Sequence, residues 1–403
     1  MKPLVRKSSS RQGLDGWSAR VVPIETELSA ARNGVEMVSS ARRFVVSVVL
    51  VLFALATAAC GGNSNPSAGE SGAAGDSPSA TPSAGESGTP GDSPSATKVN
   101  IGITSGMTLA GVLVADELGY YEDEGLDATL VTFTSGGDMT SAVLSGDVAA
   151  AATGAERVLT IREKGEDLRL LMALTAVPTL TLVVDPDFVN FPTGNVSETM
   201  NSLKGARIGF AGFGGASEAM LDALLDRVGM TQEDFQLIET GLGPAQIAAA
   251  NTGAVDAVWS IEPDTTTAVD TLGWKVAVDL TDPAQAGDLY SLIGLGLVTS
   301  AKWLNSDGNV ETAKKIVRAT GRAMEYIRTD PNAPSTMAKL YPPTSVDEMG
   351  RLIEKMSSGY HPTVTPEMTD GWNEVLRESG LITVTVPFED FVATEMSDAW
   401  EGK

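Results

Sequence analysis

Three short stretches carry side chains that could hold a small molecule. GFAGFGGASEA (209–219) closes an apolar run and opens a helical one, leaving N–H groups from Gly214 to Ser217 without intrahelical partners. The positive end of a helix holds an anionic or polar oxygen there. Gly214, Gly215 and Ser217 are therefore candidate contacts, with the Phe213 ring beside them. The spacing is not GxGxxG, and a plain glycine turn is the structural alternative. TSGMT (104–108) offers the hydroxyls of Ser105 and Thr108 in the same way. Two carboxylates, Glu156 and Glu262, follow apolar runs at matching places, either as ligand contacts or as helix-start residues. Trp259 could stack on a flat ligand or sit in a core.

These residue types favour one chemistry over another. Carboxylates accept hydrogen bonds from amino and ring N–H groups, which suits a nitrogenous ring or a cationic amine. An oxyanion calls for Arg, Lys or several N–H donors, and the only basic neighbour of these carboxylates is Arg157. A helix N-terminus can hold an anion unaided, so that alternative stays open. A hydrolase triad needs a histidine base, and the single His361, in SSGYHPTVTP, has no recognisable partner motif. One cysteine, Cys60, leaves no CxxC metal site, disulfide or folded-domain thiol nucleophile. No catalytic residue, metal ligand or cofactor is assigned.

The elements that must position these residues alternate. KVNIGIT (98–104) reads as a strand, LAGVLVADELGYYEDEG (109–125) as a helix, DATLVTFT (127–134) as a strand and GGDMTSAVLSG (136–146) as a loop and helix. DVAAAATG, LRLLMALT and TLTLVVD continue as strands; the pattern restarts at ARIGFAG (206–212) and runs to WKVAVDL (274–280). The tail from Val310 is largely helical, ETAKKIVRATGRAMEYIRTD (311–330) most clearly. Such alternation predicts α/β architecture, with mostly parallel sheets flanked by helices, and two runs of it predict two lobes. Each run places a carboxylate, Glu156 or Glu262, at the carboxyl end of a strand, the edge where open α/β sheets bind ligands. A small solute then fits a cleft between the lobes.

GYYEDEGLDATLV (119–131), LSGDVAAAATGAE (144–156), LKGARIGFAGFGGASEAMLDALLDRVG (203–229) and TGAVDAVWSIEPD (252–264), in this order, carry a family likeness. They resemble the periplasmic binding proteins of ABC importers, in particular the group for nitrate, sulfonates, taurine or pyrimidine precursors of thiamine. The resemblance implies a type II-like two-lobed fold that closes on a solute and presents it to a permease with a cytoplasmic ATPase. It places crossovers near Thr181–Asp185 and Leu292–Val298, so that 98–180 plus 293–403 form one lobe and 181–292 the other. A lipid-tethered sensor docking on a receptor is an alternative. Some relatives make a thiamine pyrimidine from their own histidine and a lysine-bound pyridoxal phosphate. This chain has no lysine between Lys98 and Lys164, so that activity is not expected.

Ahead of the folded part, Arg42 and Arg43 precede sixteen uncharged residues, Phe44 to Ala59, and small residues close the run before Cys60. That is the pattern of a secretory signal, short for a permanent span. With Gly-Gly after it, Cys60 resembles the acylated cysteine of a bacterial lipoprotein, although Thr57 stands where Leu or Val is usual. Residues 1–59 then form the leader, with Met37 an alternative start. SAGESGAAGDSPSATP (67–82) is repeated as SAGESGTPGDSPSATK (83–98), and 60–97 is expected to be a flexible tether too polar to fold. Residues 1–97 hold eight Lys/Arg and eight Asp/Glu, so the whole net charge of −24 belongs to 98–403. An acidic globule without a basic cluster argues against nucleic acid. The expectation is a monomer, lipid-anchored outside the cytoplasm, with a small-molecule solute and a permease as partners.

Overall fold

The computed structural model describes residues 96–133, 136–188, 195–400 and 402. Cys60, the apolar run before it and all but the last two residues of the 60–97 stretch lie outside the described residues.

Ten strands form two sheets. β1 (Thr97–Ile103), β2 (Leu126–Thr132), β3 (Ala150–Thr153) and β4 (Leu168–Thr175) are followed by β5 (Thr181–Val184), β6 (Arg207–Phe210), β7 (Gln236–Glu239), β8 (Ala257–Ser260) and β9 (Lys275–Asp279), then by β10 (Leu295–Ser300). The sheet orders are β2-β1-β3-β10-β4 and β7-β6-β8-β5-β9. Ile101 pairs with Leu130 and Ala150 in the first, and Ile208 with Leu237 and Ala257 in the second. Alternation along the strands divides the second sheet's side chains. Leu182 and Trp259 join the main core, while Val183 and Val258 join a smaller cluster with Trp274.

In each sheet, four strands run one way and one runs against them: β10 in the first, β5 in the second. The reversed strand is the one that follows a crossing between sheets. A chain leaving a strand at its carboxyl tip arrives at the tip edge of the other sheet, so its next strand must run away from that edge. The segments that cross are 176–180 and 280–294. Crossovers were expected near Thr181–Asp185 and Leu292–Val298; Thr181–Val184 and Leu295–Ser300 are strands within the sheets, so the first lies just before its expected place and the second ends at residue 294, inside it. The two crossings lie side by side, with Leu280 N donating to Leu180 O (3.0 Å) and Gly294 N to Thr175 O (2.9 Å). A Cβ at Gly294 would lie 2.6 Å from Val177 O, so only glycine fits where they touch.

The helices that matter here are α1 (Ala110–Glu117), α2 (Gly136–Ser145), α3 (Arg157–Glu163), α4 (Ala216–Arg227), α5 (Pro244–Asn251), α6 (Asp264–Leu272), α7 (Asn309–Thr329), α8 (Val346–Met356) and α9 (Pro366–Glu378). The single helix expected over 109–125 is broken at Gly119, whose φ of 72° is left-handed. In α7, Ala313, Ile316, Val317, Thr320, Ala323, Met324 and Ile327 recur at helical spacing and are buried. The final segment covers the edge of the first sheet: Ala393 N donates to Leu170 O (2.9 Å) and Trp400 Nε1 to Leu171 O (2.8 Å). Among the described residues, no helix is long and apolar enough to cross a membrane.

Candidate functional site

The strand tips of the two sheets meet. Following β1, Met107 N donates to the carbonyl of Glu262, which follows β8, at 2.9 Å. Gly106 forms the turn at φ 114°, a backbone conformation that L side chains rarely adopt. Tyr341 and Tyr360, from the helical tail, fix the same turn by donating to the carbonyls of Gly106 (3.1 Å) and Met107 (2.9 Å). Thr108 is buried under this turn, and Ser105 is exposed, facing Gly243 at the start of α5.

Glu156 ends the loop after β3 and stands at the N-cap of α3. Its side chain does not cap its own helix. Oε1 accepts instead from Ala216 N, the first residue of α4 in the other lobe, at 2.9 Å. The carboxylate is folded back over Gly154, where a Cβ would collide with it, and the residue is 1 % exposed. Burial pushes its carboxyl above the usual range, against the pull of Arg157 and the Ala216 N–H. Arg157 Nε lies 3.9 Å from Oε1, and Nη2 lies 2.8 and 3.3 Å from where Cβ atoms on Gly136 and Gly215 would be. The guanidinium thus wedges between the starts of α2 and α4. Among the described residues, neither Glu156 Oε2 nor the buried Ser217 Oγ has a hydrogen-bond partner. Gln246 Oε1 and Thr369 Oγ1 are in the same state, one that an ordered water or a ligand's polar group relieves.

Glu262 occupies the equivalent tip in the second sheet but is fully engaged. Oε2 accepts from Thr266 N (3.1 Å) and Thr266 Oγ1 (2.9 Å) in the first turn of α6. Oε1 pairs with Lys355 Nζ of α8 at 3.1 Å, and Lys355 also meets Asp279 Oδ2 at 3.1 Å. Burial works against the lysine's charge, yet Glu262 and Asp279 hold its pKa above the ordinary value. Nearby, Asp264 Oδ2 accepts from Gly243 N at 2.6 Å, and burial lifts its pKa to about 6.

The remaining expected contacts scatter. Trp259 is 0 % exposed, its Nε1 donating to Ser217 O at 3.0 Å, so its ring is core and offers no face for stacking. Its place late in a strand was compatible with a cleft, but the pleat turns it inward. Phe213 is 57 % exposed and edge-on to Phe210, with ring centres 4.8 Å apart. Gly214 N is used by Glu218 Oε2 at 2.6 Å, leaving Gly215, Ala216 and Ser217 as the part of the loop near Glu156. Arg157 and Lys355 were not among the expected contacts. Arg157 was visible as the neighbour of Glu156; nothing in the local sequence of Lys355 signals its reach to another lobe.

Comparison with known proteins places this geometry in context. The profile of the family described as NMT1/THI5 like matches residues 107–333. The 4-amino-5-hydroxymethyl-2-methylpyrimidine phosphate synthase of Saccharomyces cerevisiae is 23% identical over 225 residues, 55% of this chain and 63% of that protein. The chain thus spans a little under two thirds of that relative's length. Among solved structures, the ligand-binding component of an ABC-type import system from Staphylococcus aureus, with zinc bound, has a TM-score of 0.61 and 17% identity, covering 76% of this chain and 99% of that one. The alkanesulfonate-binding protein of Xanthomonas axonopodis pv. citri, bound to MOPS, gives 0.58 and 19%, covering 73% and 98%. The two-lobed architecture is the periplasmic-binding-protein fold.

Proposed function

The chain belongs to the NMT1/THI5-like family, and from that premise we propose that it captures a small nitrogenous solute between its lobes for delivery to an ABC permease. The observation that carries the reading is a pair of unpartnered buried atoms, Glu156 Oε2 and Ser217 Oγ, on residues of the two elements that Glu156 Oε1 joins by accepting from Ala216 N. A carboxylate oxygen awaiting a donor suits an amino or ring N–H. The lobes are taken as 98–180 plus 293–403 and 181–292, bending at 176–180 and 280–294. The solute drives closure because the closed form offers it contacts that the open form lacks. Cys60 is proposed as a lipid anchor outside the cytoplasm and the protein as a monomer. Ser105, Thr108 and Gly215 are proposed to border the solute.

A second reading, capture of an oxyanion such as nitrate, a sulfonate or taurine, is favoured by the Arg157 guanidinium at the starts of α2 and α4. Catalysis is not part of the proposal. A pyrimidine synthase using its own histidine and a lysine-bound pyridoxal phosphate needs both residues at the first lobe's strand tips. The residues present do not fit that cofactor: Lys355 is held by Glu262 and Asp279, and His361 lies in an exposed turn beside Arg328.

Titration calorimetry of the purified protein tests the reading. Heat with 4-amino-5-hydroxymethyl-2-methylpyrimidine, and a melting temperature that rises with its concentration, is the expected outcome. Tight binding of nitrate or taurine with no heat from the aminopyrimidine would overturn the nitrogenous assignment in favour of the second reading.

A further inference from the structure

We infer that Glu156 is a charge filter: carried by the first lobe, its carboxylate occupies the helix start in the second lobe where an anionic ligand would bind. The inference rests on the reading that the solute sits between the lobes. It adds that the residue decides which charge class the site accepts.

The start of α4 is built to attract negative charge. The helix runs twelve residues, its N-cap is Gly215, and the Glu218 carboxylate of its first turn takes only the Gly214 N–H, at 2.6 Å. The N–H groups from Gly215 to Ser217 and the dipole suit a free oxyanion. Glu156 Oε1 already takes the Ala216 N–H at 2.9 Å. An arriving anion therefore meets an acceptor of like charge in the position it needs. A ligand bearing N–H donors meets the reverse, since Oε2 is buried and without a partner among the described residues, and Ser217 Oγ, in the first turn of α4, is equally unmatched. Arg157 completes the device. Its Nε stands 3.9 Å from Oε1 and its guanidinium against Gly215, so Glu156 screens the positive group that would otherwise recruit an anion. Discrimination by a built-in repulsive group is a common route to specificity.

The test is a graded series in the full-length, detergent-extracted protein, titrated with nitrate, methanesulfonate and the aminopyrimidine. Glu156→Ala removes both occupant and charge and is expected to tighten anion binding about tenfold or more. Glu156→Gln removes the charge but keeps an oxygen for Ala216 N–H, so a smaller gain in the same direction is expected. Glu156→Asp keeps the charge and should gain nothing. Adding Arg157→Gln to the Ala variant should abolish the gain. Unchanged anion affinity in both the Ala and Gln variants overturns the filter, as does wild-type binding of these anions as tight as in the variants. Ser217→Leu, which puts a bulky apolar side chain at the buried start of α4, separates the two claims. If it leaves solute binding intact, the interlobe reading and the filter built on it both fall. If it abolishes binding while Glu156→Ala gains no anion affinity, only the filter falls.

Discussion

Glu156 and Glu262 stand at the same place in two sheets of the same design, at the carboxyl tip of the strand beside the reversed one. Their fates differ. Glu262 meets a lysine, an amide and a hydroxyl, and works as a clasp between α6 and α8. Glu156 meets one amide across the seam and keeps an oxygen unmatched. What a carboxylate does at a strand tip is decided by the partners that other elements bring to it. Here the helical tail supplies the difference, through Lys355.

Breaking the second lobe's half should have the largest effect. Trp259→Ala empties a fully buried site and removes the donor to Ser217 O, so urea unfolding should show a loss of about 3–5 kcal/mol. A change below about 1 kcal/mol would mean that the ring is not core. Next comes the clasp. Glu262→Ala leaves Lys355 half-buried with Asp279 alone and uncaps α6, an expected loss of about 2–3 kcal/mol. Lys355→Met in the same background should recover part of it, whereas an effect on solute affinity with none on stability would turn Glu262 into a second Glu156.

The smallest effect sharpens the electrostatic side. Asp264 has a native pKa of about 6, raised by burial from 3.8. The native state therefore holds this proton more tightly than the unfolded chain does. The penalty for charging it is absent below about pH 4, grows through pH 6 and is complete above. Asp264→Asn should raise the melting temperature at pH 7.5 by about 2–5 °C, corresponding to about 1–3 kcal/mol, and change it little at pH 4. A variant equally stabilised at both pH values would contradict this origin.

Much of this architecture was legible in the chain. LRLLMALT is a strand with its expected ends, and the Gly-terminated helices after DATLVTFT and ARIGFAG begin where the glycines allow. Strand direction was not legible. TLVV in β5 has the same apolar, β-branched character whichever way it runs, so its reversal, and hence the position of the crossings, depends on where the chain enters the sheet. The site was half legible for a related reason. Glu156 and Ser217 follow from strand tips and helix starts, which are local. The inward turn of Trp259 depends on pleat and packing, and the Lys355 clasp joins residues 93 positions apart.

The stitching of residues 393–400 onto β4 sets an order on biosynthesis. The second sheet is drawn from one continuous stretch, β5 to β9, and all of it has emerged before the chain returns to the first. The first sheet, begun at Thr97, lacks its reversed strand until Ser300 is made and its outer margin stays uncovered until Trp400. Without residues 393–400, the backbone groups of Leu170 and Leu171 at that margin would be left open, an unpaired edge of the kind that templates pairing with another strand.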